Sequence, residues 1–466
     1  MKDFFQLSEN RTTLPREMMA GLTTFLAMAY ILAVNPTILS ASGMPAGGVF
    51  FATALASFFG TCLMAFFANY PFALAPGMGL NAYFAYTVVL GMGYSWQFAL
   101  LAVFVEGLIF LALSLTKVRE SIFNCIPLPL KTAVSVGIGL FIAFIALQSA
   151  HVIVDAPTLV GFQSFSRDNL HGHGISAILA LVGTLATAWA LHKNIRGAIL
   201  YGILLTWLLG IAAQLIGLYV VDPEIGCFSL LPSFSLDTFR DSYRQFTHLF
   251  GALFHPADWT LRDSEVAGFA LVKSFNFFVI MFAFMFVDIF DTMGTLIGVS
   301  TKADMLDAQG KLPRIRGALL SDSIATSAGA IFGTSTVTTF VESASGVAEG
   351  GRTGLTALTT AFLFLISLLF APIFLAIPAF ATAPALIIVG FYMISGVTKI
   401  DFNNYLDAIP AYLTILIMPF AYSISEGICA GVISWTVLNF CSPRRKDINP
   451  LMYVLTILFL AKYALL

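Results

Sequence analysis

The chain alternates long apolar stretches with short polar joints, and it does so twice. A helix needs about 20 mostly apolar residues to cross the hydrocarbon of a bilayer. By that measure the pattern predicts membrane spans over 19–39, 47–68, 73–92, 96–115, 128–148, 173–191 and 196–219. A second set follows over 268–298, 314–332, 338–350, 355–377, 380–398, 405–422 and 425–441. A long polar segment, 220–266, separates the two sets of seven. A last apolar run, LMYVLTILFLAKYALL, closes the chain and reads either as an interfacial helix or as an additional span.

Composition fits a body held in lipid. Hydrophobic residues make up 58% and charged residues 10%, with mean hydropathy +0.89; soluble domains carry about 25% charged residues. Such a chain cannot cover a water-facing surface. Net charge is −2 without a basic patch, which argues against a nucleic-acid partner. The five cysteines (Cys62, Cys125, Cys227, Cys429 and Cys441) show no metal or disulfide spacing and read as packing residues. The first 17 residues are polar and lack a signal-peptide hydrophobic region.

The basic residues set the expected orientation, because positive loops stay cytoplasmic. Lys2, Arg11 and Arg16 put the N-terminus inside. With the count above, Lys117, Arg119, Lys193, Arg196, Lys302, Lys311, Arg314, Arg316, Arg352, Arg444, Arg445 and Lys446 fall inside as well. The acidic segment with Asp222, Glu224, Asp237, Asp241, Asp258, Asp263 and Glu265 falls outside. The expected division is a cytoplasmic N-terminus (1–18), a first seven-span repeat (19–219), an extracytoplasmic connector (220–266), a second repeat (267–441), and a cytoplasmic basic segment with the last apolar helix (442–466).

The halves resemble each other. ATALASFFGTCLMAFFANYPFALAPGMGLNAY (52–83) aligns with SDSIATSAGAIFGTSTVTTFVESASGVAEGGR (321–352). An odd number of spans makes the second copy enter from the opposite face, which gives inverted repeats. Spans 3 and 10, at matching positions, are poor continuous helices. NYPFALAPGMGLNAYFAYTVV has Pro71 and Pro76 followed by Gly77 and Gly79. GTSTVTTFVESASGVAEGG crowds β-branched residues, which favours a strand. Extended backbone at membrane depth is tolerated only inside protein or along a cavity. The expectation is two crossing strands, each leading into a half-helix, with a transport site between them.

Three acids fall at that depth: Asp288 and Asp291 in FMFVDIFDTMGTLIGV, and Glu342. A charged side chain at a helix centre costs about 2.5–3.5 kcal/mol on the insertion scale. Asp288 and Asp291 share a helix face, and Lys273, 15 positions before Asp288, lies about 22 Å away along a helix. Acids so placed point to proton coupling: at least one is expected to be protonated in one transport state and to release its proton in another. Glu106, in FVEGLIF, reads as a core acid or a proton relay. His171 and His173 resemble a metal pair only superficially, and no metal is expected there.

AMAYILAVNP, APGMGLNAYFAYTV, DIFDTMGTLIGV and TSTVTTFVESASGVAEGGRTGLTAL, in this order, resemble the AzgA-type purine permeases, transporters of guanine, hypoxanthine and adenine related in fold to the uracil and xanthine permeases. The resemblance covers essentially the whole chain. It implies an all-α fold of fourteen spans in two inverted seven-span repeats, with a core domain (spans 1–4 and 8–11) and a gate domain (spans 5–7 and 12–14). It implies proton-coupled purine uptake, with Asp288 and Glu342 on the base and Asn81 and Asp291 at the matching family positions. Phe340 and Phe84 are candidate stacking rings. Such a site fits a neutral ring edged with N–H and C=O groups, because carboxylates accept and the Asn81 amide both donates and accepts. The expected partners are the purine, the proton and the bilayer, at the cell (inner) membrane; no cofactor is expected, and a homodimer is left open. An anion carrier of the same fold is the main alternative, disfavoured by three acids and no base. An intramembrane aspartyl protease would need YD and GxGD motifs, which are missing; a channel would not need inverted repeats.

Overall fold

The computed structural model describes residues 4–115, 126–156, 159–166, 170–195, 197–222, 227–231, 236–262, 264, 266–302, 305 and 312–465. Cys125, Lys117, Arg119, Arg196, Glu224, Asp263, Glu265 and Lys311 lie outside them. The protein is a helical membrane body in two series of elements. The first runs α1 (Leu14–Met28), α2 (Ile31–Ser40), α3 (Ala46–Leu63), β1 (Leu74–Pro76), α4 (Met78–Ala82), α5 (Trp96–Ser114), α6 (Leu128–Ser149), a β2–β3 hairpin (Ile153–Ala156, Leu159–Phe162), α7 (Ile175–His192) and α8 (Ala198–Leu215). A connector helix, α9 (Leu236–Leu249), follows. The second series runs α10 (Phe275–Lys302), α11 (Ile315–Phe332), β4 (Val337–Thr339), α12 (Ser343–Ala348), α13 (Gly354–Ser367), α14 (Ala371–Leu375), α15 (Ala379–Ile394), α16 (Tyr405–Phe420), α17 (Ile424–Phe440) and α18 (Pro450–Leu465). Among the described residues nine helices are long and apolar enough to cross a membrane, and shorter apolar helices accompany them.

Spans 3 and 10 break as the sequence predicts. β1 and β4 pair antiparallel, with Leu74 opposite Thr339, Ala75 opposite Thr338 and Pro76 opposite Val337. Gly77 N–H donates to Thr336 O and Phe340 N–H to Ala73 O, both at 3.0 Å, so the ladder continues past each strand end. A two-stranded ribbon still has outer edges, and here hydroxyls close them. Thr61 on α3 accepts from Leu74 N–H (2.9 Å) and donates to Leu74 O (3.0 Å). Thr326 on α11 donates to Val337 O at 2.9 Å. The helices that supply these threonines, α3 and α11, precede the two strands in their respective series.

The ungapped alignment of the halves does not carry through the breaks. A π-helical turn, Met64–Ala68, extends α3 before Asn69 ends it in the left-handed region at φ 51°. No such turn follows α11, which ends on Gly333. The strands therefore pair with a shift that a gapless comparison misses.

Around the ribbon, α1 packs on α12 and α13, α3 on α11 and α13, and α5 on α10 and α11. Elsewhere α6 packs on α15, α16 and α17, and α7 and α8 pack on each other and on α15. The connector, read from sequence only as polar, contains the amphipathic α9, which packs on α3 through Phe51 and its ring neighbours Phe239 and Phe246. The last apolar run forms a helix. α18 runs antiparallel along the length of α17, with Tyr453 against Phe440, Thr456 donating to Thr436 at 2.8 Å, and Tyr463 bonded to Glu426. It is packed alongside span 14 rather than laid across its end.

α3 and α11 cross beneath the ribbon at Gly60. A Cβ there would lie 2.8 Å from Ala325 Cβ and 3.3 Å from both Leu74 Cβ and Val337 Cγ1. Gly60→Leu is therefore expected to destabilise the protein by at least the roughly 1–3 kcal/mol of ordinary overpacking. Thermal unfolding in detergent checks this, with Val182→Leu at a half-exposed position of α7 as the unchanged control.

Candidate functional site

Five consecutive residues leading into and through β4 are each tied to a different helix. Thr334 Oγ1 accepts from Asn35 Nδ2 of α2 at 2.9 Å. Ser335 donates its hydroxyl to Asn81 Oδ1 of α4. Thr336 donates to Glu106 Oε2 of α5 at 3.2 Å. Val337 is held through its carbonyl by Thr326 of α11. Thr338 Oγ1 lies 2.7 Å from Thr292 Oγ1 of α10. Buried hydroxyls need partners, and those of Thr334, Ser335, Thr336 and Thr338 each have one.

The two sequence-predicted aspartates of α10 approach this segment from one side. Asp288 is fully buried, and Thr292, one turn further on, stands 3.1 Å from its Oδ1. The same Thr292 hydroxyl is 3.0 Å from each carboxylate oxygen of Asp322 on α11. Asp291 is half-buried and faces the start of α4: a Cβ on Gly77 would lie 3.3 Å from its Oδ2 and 2.7 Å from Thr338 Cγ2. Glycine at 77 thus lets the acid and the strand approach the same backbone. Glu342 lies at the junction of β4 and α12, and Tyr30, at the break between α1 and α2, donates its hydroxyl to Glu342 Oε1 at 2.6 Å. Glu342 is half-buried beside Val341, which is 52% exposed, whereas Asp288 is fully buried.

Asn81 is fully buried on α4, its Nδ2 directed at Pro76 O (3.4 Å) as well as its Oδ1 at Ser335. Asp288, Asp291, Glu342 and Asn81 therefore come together around one strand crossing, from α10, the β4–α12 junction and α4. The candidate rings sit differently. Phe84 is fully buried, 6.4 Å from Phe284 between ring centroids, and Phe340 is 5% exposed with its backbone in the ladder.

Sequence reasoning missed Asp322, Thr292 and Tyr30. Asp322, in SDSIATSAGA, carried the same signal as Asp288, an acid inside a predicted span. Tyr30 and Thr292 carried none. The histidines do not act as a pair: His173 stacks on His151 with centroids 3.7 Å apart, and His171 Nδ1 lies 3.2 Å from Leu218 O. Burial, and then His173, push the His151 imidazole below its usual range.

Comparison with known proteins places this arrangement in a lineage. The guanine/hypoxanthine permease PbuO of Bacillus subtilis is 41% identical over 98% of each chain. The adenine permease AdeP of Escherichia coli is 39% identical over 98% of this chain and 94% of its own. Among solved structures, the transmembrane domain of the cyanobacterial bicarbonate transporter BicA aligns over 90% of this chain and 97% of its own, with TM-score 0.61 and 16% identity, which establishes a shared fold. The family model Xan_ur_permease, described as "Permease family", matches residues 15–429. The chain belongs to that family: it is a multi-pass membrane permease and not an enzyme.

Proposed function

We propose that this permease takes up purine nucleobases in symport with protons. The observation that carries the reading is the convergence of Asp288, Glu342 and Asn81, from three separate elements, on the β1–β4 crossing. The purine relatives named above are similar over nearly their whole length, which supports the same substrate class. A purine ring offers adjacent N–H donors and C=O or N acceptors in one plane. Asp288 and Glu342 accept from the donors; the Asn81 amide reads a donor–acceptor pair. A site built this way rejects rings that lack the matching groups, because its buried polar atoms would go unpaired.

In this reading Asp291 is the acid that changes protonation during the cycle, with Asp322 and Glu342 as its acidic neighbours. Spans 1–4 and 8–11 form the core that holds the base. Spans 5–7 and 12–14 form the gate against which the core moves in alternating access. The N-terminus faces the cytoplasm, as the basic joints argue, and the protein resides in the cell (inner) membrane.

Three outcomes are expected. Asp288→Asn and Glu342→Gln each replace one of two acceptor oxygens by an NH2 donor and remove the carboxylate charge. They should lower hypoxanthine uptake about ten- to a hundredfold, the range of a hydrogen bond to a charged group, while surface biotinylation or blotting shows normal membrane levels. Normal uptake by both variants would remove these residues from the site. Unlabelled guanine, hypoxanthine and adenine should compete with labelled hypoxanthine, whereas sulfate and bicarbonate should not. A protonophore should collapse accumulation; dependence on a sodium gradient instead would reassign the coupling ion.

A further inference from the structure

Glu106 is a buried acid outside that mechanism. Glu106 lies on α5, fully buried, at a point where α5 and α11 touch backbone to side chain. A Cβ on the next residue, Gly107, would lie 2.9 Å from Ser327 N and 3.1 Å from Thr326 Cγ2. That approach fixes the depth of Glu106 against the segment that enters β4. Its Oε2 accepts the Thr336 hydroxyl at 3.2 Å.

Thr336 is a pivot. Its carbonyl accepts from Gly77 N–H at 3.0 Å, the backbone group that begins the α4 turn. Its chain neighbour Ser335 donates to Asn81 Oδ1. Glu106 thus holds this segment at Thr336 while the adjacent Ser335 holds Asn81. Both ends of the turn that carries Asn81, at Gly77 and at Asn81 itself, thus depend on where residues 335 and 336 sit.

We infer that Glu106 is a positioning residue for Asn81: it acts as a hydrogen-bond acceptor that sets residues 335 and 336, and through them aims the Asn81 amide. This rests on the purine reading above, in which Asn81 touches the base. It assigns Glu106 no part in carrying the coupling proton. A glutamine keeps an acceptor oxygen at that place, and a leucine of similar bulk does not.

The test is hypoxanthine uptake kinetics in membrane vesicles for Glu106→Gln, Glu106→Leu, Asn81→Ala and the Glu106→Leu/Asn81→Ala double variant. Glu106→Leu should raise KM about tenfold, the upper range for one lost hydrogen bond, with the maximal rate changed much less. Asn81→Ala should raise KM similarly, and the double variant should be no worse than Asn81→Ala alone, because the two act in series. Glu106→Gln should restore KM to within about threefold of wild type, since it retains the acceptor, and its accumulation should still collapse with protonophore. A double variant whose effects multiply would overturn the positioning role. So would a Glu106→Gln protein that equilibrates hypoxanthine but no longer accumulates it, since that is the behaviour of a proton carrier. If wild-type vesicles take up no hypoxanthine, the purine reading falls and this inference falls with it. If they do and the double variant is multiplicative, only the role of Glu106 falls.

Discussion

The structure depends on the pairing of broken backbone in a place without water. Every N–H and C=O that leaves a helix at membrane depth must find a partner within the protein. The two interrupted spans meet this requirement jointly, as an antiparallel ribbon whose ladder runs from Ala73–Gly77 to Thr336–Phe340. Pro76 is tolerated because it needs no donor partner. The ribbon's outer edges are closed by Thr61 and Thr326. Neither span could adopt this conformation alone, so the two halves are bound to each other at their weakest points.

That solution also builds the candidate site. A strand whose hydroxyls are all buried must be met by side chains from around it, and residues 334–338 draw in α2, α4, α5, α11 and α10 in turn. Asp288 and Asp322 share one Thr292 hydroxyl, which itself contacts Thr338. Glu342 follows at the exit of β4, oriented by Tyr30. The carboxylates are therefore fixed by the same contacts that stabilise the break. Gly60, Gly77 and Gly107 lack a Cβ where one would press against these groups, which is how helices and strands come close enough for the network to form.

The sequence made the periodic features legible and left the contacts between elements obscure. Hydropathy alone marks where the helices lie, because each must match the bilayer thickness. The breaks were readable because Pro71, Pro76, Gly77, Gly79 and the run Thr336–Thr339 contradict a helix locally. The acids Asp288, Asp291 and Glu342 were readable because charge is costly at that depth. Tyr30 and Thr292 were not, since a tyrosine or threonine in a span costs little and gains its role only from a partner hundreds of residues away or on another helix. Asp322 was within reach of the same reasoning but sits in a span otherwise rich in Ser, Thr and Gly, where it stood out less. The π-helical turn at Met64–Ala68 leaves no pattern in composition, and it displaces the two halves enough to defeat a gapless alignment.

The fold by itself does not choose a substrate. A bicarbonate transporter's transmembrane domain shares it at 16% identity. The choice rests with the side chains at the crossing. Here Asp288, Asp291, Asp322 and Glu342 surround it. An anion about 4 Å from even one ionised carboxylate would meet roughly 4 kcal/mol of repulsion at an effective dielectric near 20, and several acids would add to it. A neutral ring rich in N–H donors meets the opposite situation: each acceptor oxygen it satisfies is one that burial would otherwise leave costly. On the proposed purine reading, substrate choice and proton coupling would both follow from one arrangement, carboxylates gathered where the two strands pair.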